Sequence, residues 1–233
     1  MADRVCIVTG VGPGTGTALV RRFARDGYRV AMLARDKERL DALAGEIAGT
    51  VAFPVDVADL DALRATLAKV RAELGPPRVL LYNAVAGGFG SFDQVAATEL
   101  EERFRVNVTA FLVAVQELAP AMVAAGDGAV IATGNTSALR GKASFAGFAP
   151  TKAAQRILAQ SLARTLGPQG VHVAYVVIDA VIDVPWTRAF YSKAPDDFFI
   201  QPDDIADAVH HLAHQPRSAW TFDIDLRPFG ENW

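Results

Sequence analysis

Short, almost continuously apolar runs alternate along this chain with longer segments in which apolar residues recur at helical spacing. The apolar runs are rich in β-branched residues and predict seven strands, at residues 5–9, 29–34, 50–55, 79–83, 129–133, 171–178 and 220–226. The segments between them predict six helices, at residues 14–26, 37–47, 59–74, 99–125, 149–166 and 203–214. Strands without polar and apolar alternation are typical of parallel strands that helices cover on both faces.

This order of elements predicts an α/β fold with a doubly wound, parallel, seven-stranded sheet. The 233 residues, of which 51% are hydrophobic, are enough for one large core, so a single domain over residues 1–233 is expected. Ligands of such sheets bind outside the carboxyl ends of the strands, and functional residues are expected there. Residues 179–202, rich in Asp, Pro and aromatic side chains, are expected to form a lid over the site.

Charge and apolar content disfavour several classes of partner. The 23 basic and 26 acidic residues provide no basic field for nucleic acid, so no nucleic-acid partner is expected. No uninterrupted apolar run reaches the roughly 18 residues of a membrane span, and the first predicted strand leaves no room for a signal peptide. A cytoplasmic protein without a membrane partner is therefore predicted, and its single cysteine, Cys6, is expected in the core.

A glycine-rich turn follows the first predicted strand. It reads TGVGPGTG over residues 9–16 and leads directly into an apolar helix. Glycines at a strand-to-helix turn let backbone N–H groups approach a diphosphate at the helix amino terminus. An ordinary tight turn is the alternative, but the surrounding strand–helix–strand pattern favours the phosphate-binding interpretation.

The spacing Thr-Gly-x-x-x-Gly-x-Gly in this turn, together with later residues, resembles the short-chain dehydrogenase/reductase family over nearly the whole chain. The resemblance implies a dinucleotide-binding Rossmann fold with helices on both faces of the sheet. It also implies that Gly10, Gly14 and Gly16 bind the diphosphate of the cofactor.

Further cofactor residues follow the later strands. The resemblance implies that Asp56 and Val57, after the third strand, lie beside the adenine. A cap or turn role for Asp56 is an equally good interpretation. Asn83 and Ala84, after the fourth strand, match the middle of a family motif whose flanking residues differ here, and Ile182 is assigned to the same site.

The end of the second strand predicts the choice of cofactor. Folds that bind NAD usually carry an acidic residue here, which accepts from the ribose 2′-hydroxyl, whereas this chain has Ala34 followed by Arg35. A guanidinium beside a small residue suits the 2′-phosphate of NADP. NADP(H) is therefore predicted as the preferred cofactor, with NAD(H) as the second choice. A solvated Arg35 before a helix capped by Asp36 is the alternative.

Two further polar residues match the catalytic region of the family. Asn107 stands in a helical run, where an amide has poor helix propensity, and the resemblance implies that it bends its helix and holds water toward a lysine. An exposed mid-helix Asn107 is the alternative. Lys152 lies in the first turn of a strong helix, where a cation opposes the helix dipole. The resemblance implies that Lys152 binds the nicotinamide ribose and lowers the pKa of a catalytic tyrosine.

The catalytic tyrosine and serine of the family are replaced in this sequence. Phe148 stands four residues before Lys152, at the place of the tyrosine, and Asn135 aligns with the serine. Thr136 or Ser137 would take the serine's place in a slightly different register. A phenyl ring cannot transfer a proton, whereas the NH₂ group of Asn135 can donate to a substrate carbonyl. The proton is then expected from water or from another side chain, with three candidates: Tyr191, Tyr82 and Ser144.

Three other features have two interpretations each. Asp179, after the sixth strand, either forms a turn or places a carboxylate near the nicotinamide. His210 and His214 could ligate a metal on one helix face, but no third ligand stands nearby in the sequence, so no metal site is predicted. Five aromatic residues either line a substrate pocket or pack the lid: Trp186, Phe190, Tyr191, Phe198 and Phe199.

These features predict an oxidoreductase of the short-chain dehydrogenase/reductase kind. It would use NADP(H) or NAD(H) to move hydride to or from a small molecule with a carbonyl, an alcohol or an activated double bond, with a non-standard proton donor. The competing interpretation is a catalytically impaired dinucleotide-binding protein that acts as a redox sensor or assembly partner. Relatives commonly assemble through helices that match residues 99–125 and 149–166, so a homodimer or homotetramer is expected.

Overall fold

The computed structural model describes residues 4–230, which contain nine strands and eight α-helices. The strands are β1 (Val5–Thr9), β2 (Arg29–Ala34), β3 (Thr50–Pro54), β4 (Pro77–Tyr82), β5 (Gly128–Asn135), β6 (Val171–Ile178), β7 (Val181–Ile182), β8 (Phe199–Ile200) and β9 (Asp223–Leu226). The helices are α1 (Thr15–Arg25), α2 (Lys37–Glu46), α3 (Leu60–Leu74), α4 (Ala97–Phe104), α5 (Ala110–Ala125), α6 (Ala149–Leu166), α7 (Pro185–Phe190) and α8 (Pro202–Ala213).

Seven of these strands form one parallel sheet, which confirms the predicted Rossmann-like architecture. The strand order is β3-β2-β1-β4-β5-β6-β9, and every neighbouring pair runs parallel. The chain builds outward from β1 to β3 and then returns to place β4 on the other side of β1. A crevice therefore opens between the carboxyl ends of β1 and β4, where sheets of this type bind ligands.

Apolar side chains pack against both faces of the sheet. On one face lie α3, α5 and α6, which contribute residues such as Leu67 and Phe111 to the core. On the other face lie α1, α2 and α8, with residues such as Phe23 and Ile205. Cys6 is fully buried in this second layer, as predicted, and burial raises the pKa of its thiol well above the ordinary value.

The helix predicted over residues 99–125 is interrupted. A π-helical turn, Arg105–Thr109, separates α4 from α5. Asn107 lies in this turn and is fully buried, so the alternative of an exposed mid-helix Asn107 is wrong. A π turn inserts an extra residue into a helix and reorients the side chains around it, which agrees with the implied bend at this position.

Residues 179–202 contain structure that the sequence did not predict. β7 and β8 pair with each other in parallel outside the main sheet, and α7 lies between them in the chain. The last strand is also shorter than predicted: it covers Asp223–Leu226 and not residues 220–226. Trp220 instead stacks on His172 and donates from Nε1 to the carbonyl of Gln215, which holds the preceding segment in a turn.

One helical stretch, Ala97–Ala125, has the length and composition of a membrane span, although the sequence contains no uninterrupted apolar run of that length. In its most apolar window, 44% is buried inside the protein. A core helix meets the same two criteria, and α5 contributes Phe111 and Leu118 to the core. Length and composition are therefore weak support for a membrane segment here.

Candidate active site

A pocket of about 940 Å³ opens at the crevice between β1 and β4. Its wall contains nine of the ten predicted cofactor residues: Gly10, Gly14, Gly16, Arg35, Asp56, Val57, Asn83, Ala84 and Ile182. The tenth, Lys152, lies behind the wall. The ends of four strands and the segment after β6 thus surround one space.

Glycine is required at two positions of the turn after β1. Gly10 has a φ of +70°, and a Cβ at this position would lie 2.6 Å from the Cα of Ala84. A Cβ on Gly16 would lie 2.4 Å from the carbonyl oxygen of Gly10. Because neither position has room for a side chain, the turn is compact and the amino terminus of α1 borders the pocket directly.

A buried hydroxyl without a partner lies at the same end of α1. Oγ1 of Thr15 is buried and makes no hydrogen bond to any described residue, although Thr15 lines the pocket. Buried hydroxyl groups nearly always have a partner, so this one is suited to a ligand or an ordered water. The first turn of α1 carries no acidic side chain, which leaves the positive end of the helix dipole available to an anion. Thr15 was not predicted as a site residue. Its position directly after Gly14, at the start of α1, could have indicated it.

Two guanidinium groups border the pocket after β2. Arg35 is exposed and makes no hydrogen bond or ion pair with the described part of the chain. Asp36 caps α2: its Oδ1 accepts from the backbone N–H of Arg39 at 3.0 Å, and its Oδ2 lies 2.8 Å from the Arg39 guanidinium. The cap assigned to Asp36 is therefore confirmed, and Arg35 is left unpaired toward the pocket. Arg39, one helical turn after Arg35, was not predicted.

The turn role weighed for Asp56 is confirmed. Its Oδ1 accepts from the backbone N–H of Ala58 at 2.9 Å, and its carbonyl accepts from the N–H of Asp59 at 3.1 Å. Asp56 and Val57 also line the pocket. The turn and the predicted place beside the adenine are thus compatible.

Asn83 connects three strand ends. Its Nδ2 donates to the carbonyl of Gly10 at 2.9 Å, and its Oδ1 accepts from the hydroxyl of Thr133 at 2.9 Å. Its backbone N–H donates to Oγ1 of Thr9 at 3.1 Å. These bonds hold the carboxyl ends of β1, β4 and β5 in place, so Asn83 maintains the shape of the pocket at its centre.

Lys152 lies in a buried polar cluster behind this wall. The residue is 2% exposed, and its Nζ donates to the carbonyl of Thr133 at 3.0 Å and to Oε1 of Gln155. Burial lowers the pKa of Lys152 to about 7. Because Thr133 also donates to Asn83, the amine connects to the pocket wall through one residue. The implied contact of Lys152 with a nicotinamide ribose stays a prediction.

Gln155 connects Lys152 to Asn107. Its Nε2 donates to the backbone carbonyl of Asn107 at 2.6 Å, while its Oε1 accepts from Lys152. The Asn107 side chain accepts from the N–H of Ala86 at 2.9 Å and donates to the hydroxyl of Thr151 at 2.8 Å. The resemblance implies a water held by Asn107 toward the lysine, whereas here Gln155 contacts both groups directly. Gln155 was not predicted, although it stands one helical turn after Lys152.

Asn135 ends β5, and Phe148 directly precedes α6. Oδ1 of Asn135 accepts from the N–H of Ser137 at 3.1 Å, whereas its NH₂ group has no hydrogen-bond acceptor among the described residues. Phe148 is 6% exposed, and a Cβ built on Gly87 would lie 3.9 Å from its ring. Gly87 lines the pocket, so the phenyl ring lies directly behind the pocket wall.

The three candidate proton donors differ in availability. Tyr82 is fully buried and donates to the carbonyl of Val106 at 2.5 Å, and burial raises the pKa of its hydroxyl well above the ordinary value. Such a phenol is poorly suited to donate a proton at neutral pH. Tyr191 and Ser144 are both exposed.

Asp179 lies between two arginines. Its Oδ1 is 3.6 Å from Arg140 and its Oδ2 is 4.0 Å from Arg227, and its backbone N–H donates to the carbonyl of Leu226 at 2.8 Å. Within the described residues, Asp179 is not part of the pocket wall. These contacts favour a structural role over a carboxylate near the nicotinamide.

The five aromatic residues after β6 were expected either to line a substrate pocket or to pack the lid, and the structure shows both arrangements. Trp186 lines the pocket and is 67% exposed. The others pack in a row, with ring centroids 4.9 Å apart for Phe190 and Tyr191, 5.3 Å for Tyr191 and Phe198, and 5.1 Å for Phe198 and Phe199. One aromatic residue thus faces the pocket, and four stabilise the segment itself.

An ion pair between Arg188 and Asp183 stabilises the segment of residues 179–202. Nε and Nη2 of Arg188 each lie 2.7 Å from one carboxylate oxygen of Asp183, and Gln201 donates to Asp183 at 2.9 Å. The hydrogen bonds from Arg188 and Gln201 lower the pKa of Asp183 to about 2. The segment that carries Ile182, Val184 and Trp186 into the pocket wall is therefore held by charge as well as by aromatic packing.

This chain is similar in sequence and in structure to known dehydrogenases and reductases. The profile of a family described as short chain dehydrogenase matches residues 4–192. D-erythrulose reductase from Gallus gallus is 29% identical over 219 residues, which cover 90% of this chain and 87% of that protein. D-xylose 1-dehydrogenase from Caulobacter vibrioides is 35% identical over 175 residues, which cover 73% of this chain and 69% of that protein. The crystal structure of a metagenomic short-chain oxidoreductase in complex with NADP matches with a TM-score of 0.85 and 30% identity over 98% of each chain.

Proposed function

Because this chain belongs to the short chain dehydrogenase family and is an oxidoreductase of that kind, we propose that it uses NADP(H), in preference to NAD(H), as its cofactor. The proposed reaction moves hydride to or from a carbonyl, an alcohol or an activated double bond of a small molecule. The pocket between β1 and β4, with nine predicted cofactor residues in its wall, is the observation that carries this proposal.

The residues at the amino terminus of α1 fit the diphosphate of a dinucleotide. Gly10 and Gly16 leave no side chains in the turn, and Oγ1 of Thr15 is buried without a protein partner. The helix dipole adds a positive partial charge at the same place. When bound, the cofactor supplies the nicotinamide carbon that gives or takes the hydride. Asn83 and Ile182 lie farther along the pocket wall and would then border the bound cofactor.

The preference for NADP(H) is supported by the unpaired Arg35. Its guanidinium borders the pocket beside Ala34, and the carboxylate of the neighbouring Asp36 is paired with the backbone N–H and the guanidinium of Arg39. A charge-assisted contact of this kind is worth about 1.5–3 kcal/mol, which corresponds to roughly ten- to hundredfold in affinity. Arg39 adds a second guanidinium, although it is paired with Asp36.

Titration with NADPH and NADH, followed by the change in intrinsic fluorescence, tests this assignment. We expect NADPH to bind more tightly in the native protein and the preference to disappear in Arg35→Ala. Arg164→Ala is the matched control, because Arg164 is exposed and donates only to the carbonyl of Gln160 in its own helix. Equal dissociation constants for the two cofactors, or an unchanged preference in Arg35→Ala, would contradict the assignment.

For the chemical step, we infer that Phe148 and Asn135 occupy the places of the family's tyrosine and serine. In the reductive direction hydride adds to the carbonyl carbon and a proton must reach the carbonyl oxygen. The NH₂ group of Asn135 has no other acceptor and can donate to that oxygen. Phe148 cannot supply the proton. Water, Tyr191 or Ser144 remain as its source, while Lys152 is assigned to the nicotinamide ribose.

The segment of residues 179–202 is proposed to act as the lid of a single-domain enzyme. It contributes Ile182, Val184 and Trp186 to the pocket wall and is fastened by the pair between Asp183 and Arg188. A lid of this kind excludes water from the bound substrate.

Aromatic rings favour an apolar substrate. Phe89, Phe145 and Phe148 form a row with ring centroids 5.3 and 6.3 Å apart, next to the pocket wall at Gly87. A small carbonyl compound with an apolar or aromatic substituent would bury its surface against this row. We therefore propose that carbonyl compounds with apolar or aromatic substituents are accepted in preference to those with polar substituents.

The second candidate function is a catalytically impaired dinucleotide-binding protein. It is favoured by the phenyl ring of Phe148, which removes the general acid that a reductase of this family needs. Both candidates bind the cofactor, so binding alone cannot distinguish them. Oxidation of NADPH in the presence of ketones, diketones and enones, and reduction of NADP⁺ with alcohols, would do so. Turnover of any of these supports the enzyme, whereas tight cofactor binding without turnover supports the second candidate.

A further inference from the structure

Three side chains of the kinds that bind transition metals meet where the end of α1 packs beside α8. They are Asp26, His210 and His214, and one potential ligand atom from each lies within 4.8 Å of the others. Asp26 follows α1 and precedes β2, so it lies at the amino ends of the strands, opposite the cofactor pocket. The histidine pair alone did not predict a metal site, because no third ligand stood nearby in the sequence. The fold supplies that third ligand from the other end of the chain.

The distances between these atoms fit a shared cation. Oδ2 of Asp26 is 3.1 Å from Nε2 of His210 and 3.8 Å from Nε2 of His214. Two ligands of one tetrahedral Zn²⁺, each bonded at about 2.0–2.1 Å, stand roughly 3.3 Å apart. These two distances lie on either side of this value, and the ligand atoms of His210 and His214 lie within 4.8 Å of each other.

His210 and His214 also present the correct nitrogen atoms. Nδ1 of His214 lies 2.7 Å from the backbone carbonyl of His210, which fixes the proton on Nδ1 and leaves Nε2 as the nitrogen with a lone pair. Metal-binding histidines are commonly held by such a bond to a carbonyl. Nε2 of His210 is buried and has no properly oriented hydrogen bond among the described residues, even though Asp26 is near. A cation between the two atoms would satisfy both.

Two neighbours already contact these ligand atoms. The Tyr28 hydroxyl lies 2.9 Å from Nε2 of His214, and the Arg4 guanidinium lies 3.3 Å from Oδ2 of Asp26. Binding of a cation would displace the hydrogen bond from Tyr28 to the histidine, while Arg4 could keep its bond to the backbone carbonyl of Asp26.

We propose that Asp26, His210 and His214 bind one Zn²⁺, with a water molecule or the Tyr28 hydroxyl in the fourth position. Two imidazoles and one carboxylate are a ligand set that zinc accepts. The bound ion would join the end of α1 to α8 and so stabilise the layer of helices on that face of the sheet. This site is independent of the cofactor pocket and of the reaction proposed there.

Calorimetric titration of the full, metal-free chain, prepared without an affinity tag, with Zn²⁺ alone tests the proposal. We expect saturable binding of one ion per chain. His210→Ala, His214→Ala and Asp26→Asn should each weaken it by about tenfold or more, since each removes a ligand. His211→Ala is the matched control, because His211 lies between the two on the same helix but is exposed and outside the cluster; its affinity should equal that of the native chain.

Thermal unfolding provides a second readout if a variant is less stable. Zn²⁺ should raise the unfolding midpoint of the native chain and of His211→Ala, and it should leave the midpoint of folded Asp26→Asn or His214→Gln unchanged. The absence of saturable Zn²⁺ binding by the native chain would overturn the proposal. Equal losses of affinity in His211→Ala and His210→Ala would also overturn it.

Discussion

At Lys152, a side chain that is charged in water lies in an almost fully buried site. Its Nζ contacts two neutral acceptors, the carbonyl of Thr133 and Oε1 of Gln155, and no carboxylate lies within ion-pair distance of it in the described chain. Removing the ammonium from water is therefore not offset by an opposite charge, and burial lowers its pKa to about 7. Lys152 should make the stability of the protein depend on pH.

We predict that Lys152→Met stabilises the protein at pH 7 and that its advantage disappears at high pH. Between the native pKa of about 7 and the unfolded value of about 10.4, the unfolded state binds more protons, so the native chain gains stability as pH rises. At about 1.4 kcal/mol for each pH unit between the two pKa values, the full effect is at most roughly 5 kcal/mol. Urea unfolding at several pH values from 7 to 10 measures it, with the exposed Lys69→Met as control. Parallel pH dependences for native protein and Lys152→Met would contradict the prediction.

Phe148 is the second residue at which a single substitution is informative. General acid–base catalysis contributes about 10² to 10⁴ in rate, so Phe148→Tyr should increase the reduction of simple ketones or diketones at least tenfold if a phenol was lost here. Steady-state oxidation of NADPH measures this gain. Phe145→Tyr, which adds a hydroxyl to the neighbouring ring, should give none. An unchanged or lower rate in Phe148→Tyr would indicate that the native enzyme uses a different donor, and loss of activity on mutating Tyr191 or Ser144 would then identify it.

At the scale of elements, α6 and the π turn Arg105–Thr109 are joined through Gln155. Its amide donates to the carbonyl of Asn107 in the turn, and its oxygen accepts from Lys152 in the same helix. Thr151 of α6 also accepts from Asn107. An irregular helical turn exposes backbone carbonyls that a regular helix would satisfy, and here a neighbouring helix provides the partner.

Two substitutions of Gln155 should separate packing from hydrogen bonding. Gln155→Leu keeps the volume but leaves the carbonyl of Asn107 without its buried partner, which we expect to cost about 1–3 kcal/mol. Gln155→Ala leaves room for a water that can bond both groups, and such polar cavities are usually hydrated. We therefore expect a larger loss of kcat in Gln155→Leu than in Gln155→Ala, and a larger rise in the Kd for NADPH in the same variant, because Lys152 is assigned to the nicotinamide ribose. Equal loss of kcat in the two variants would contradict a role for this connection in positioning Lys152.

At the scale of the whole molecule, self-association through α6 stays a prediction. Ile157 is 58% exposed on this helix, and α6 is one of the two helices through which relatives of this kind are expected to assemble. A single exposed apolar side chain is also common on monomers, so the expectation of assembly rests on the family resemblance, and Ile157 is the position on α6 at which a substitution tests it.

We predict a homodimer or homotetramer that Ile157→Glu dissociates, because a carboxylate at this position would have to lose its water in the interface. Light scattering coupled to size exclusion, at micromolar concentration, measures the mass. Phe92→Glu is the control, because Phe92 is also exposed but lies between β4 and α4. A native chain that elutes as a monomer would contradict the prediction.

The sequence by itself determined the parallel sheet, the glycine-rich turn and nine residues of the pocket wall. The sheet and the turn depend on local signals, which are the alternation of apolar runs with helical spacing and the glycines at the ends of elements. Asp56, Asn83 and Ile182 were assigned from the family resemblance. The structure confirms the seven-stranded parallel sheet and brings Gly10, Arg35, Asp56 and Asn83 to one pocket, although they stand far apart in the chain. They meet because each follows the carboxyl end of a strand in the same sheet.

Tertiary structure alone decided which polar groups contact each other. Gln155 and Asn107 are 48 residues apart, and nothing in either local sequence indicates that one satisfies the other. The same holds for Asp26 beside His210, which come from opposite ends of the chain. Such contacts depend on the distance between elements that pack against each other and on which buried groups lack a partner. Periodicity carries no information about either, because it reports only which face of an element is apolar.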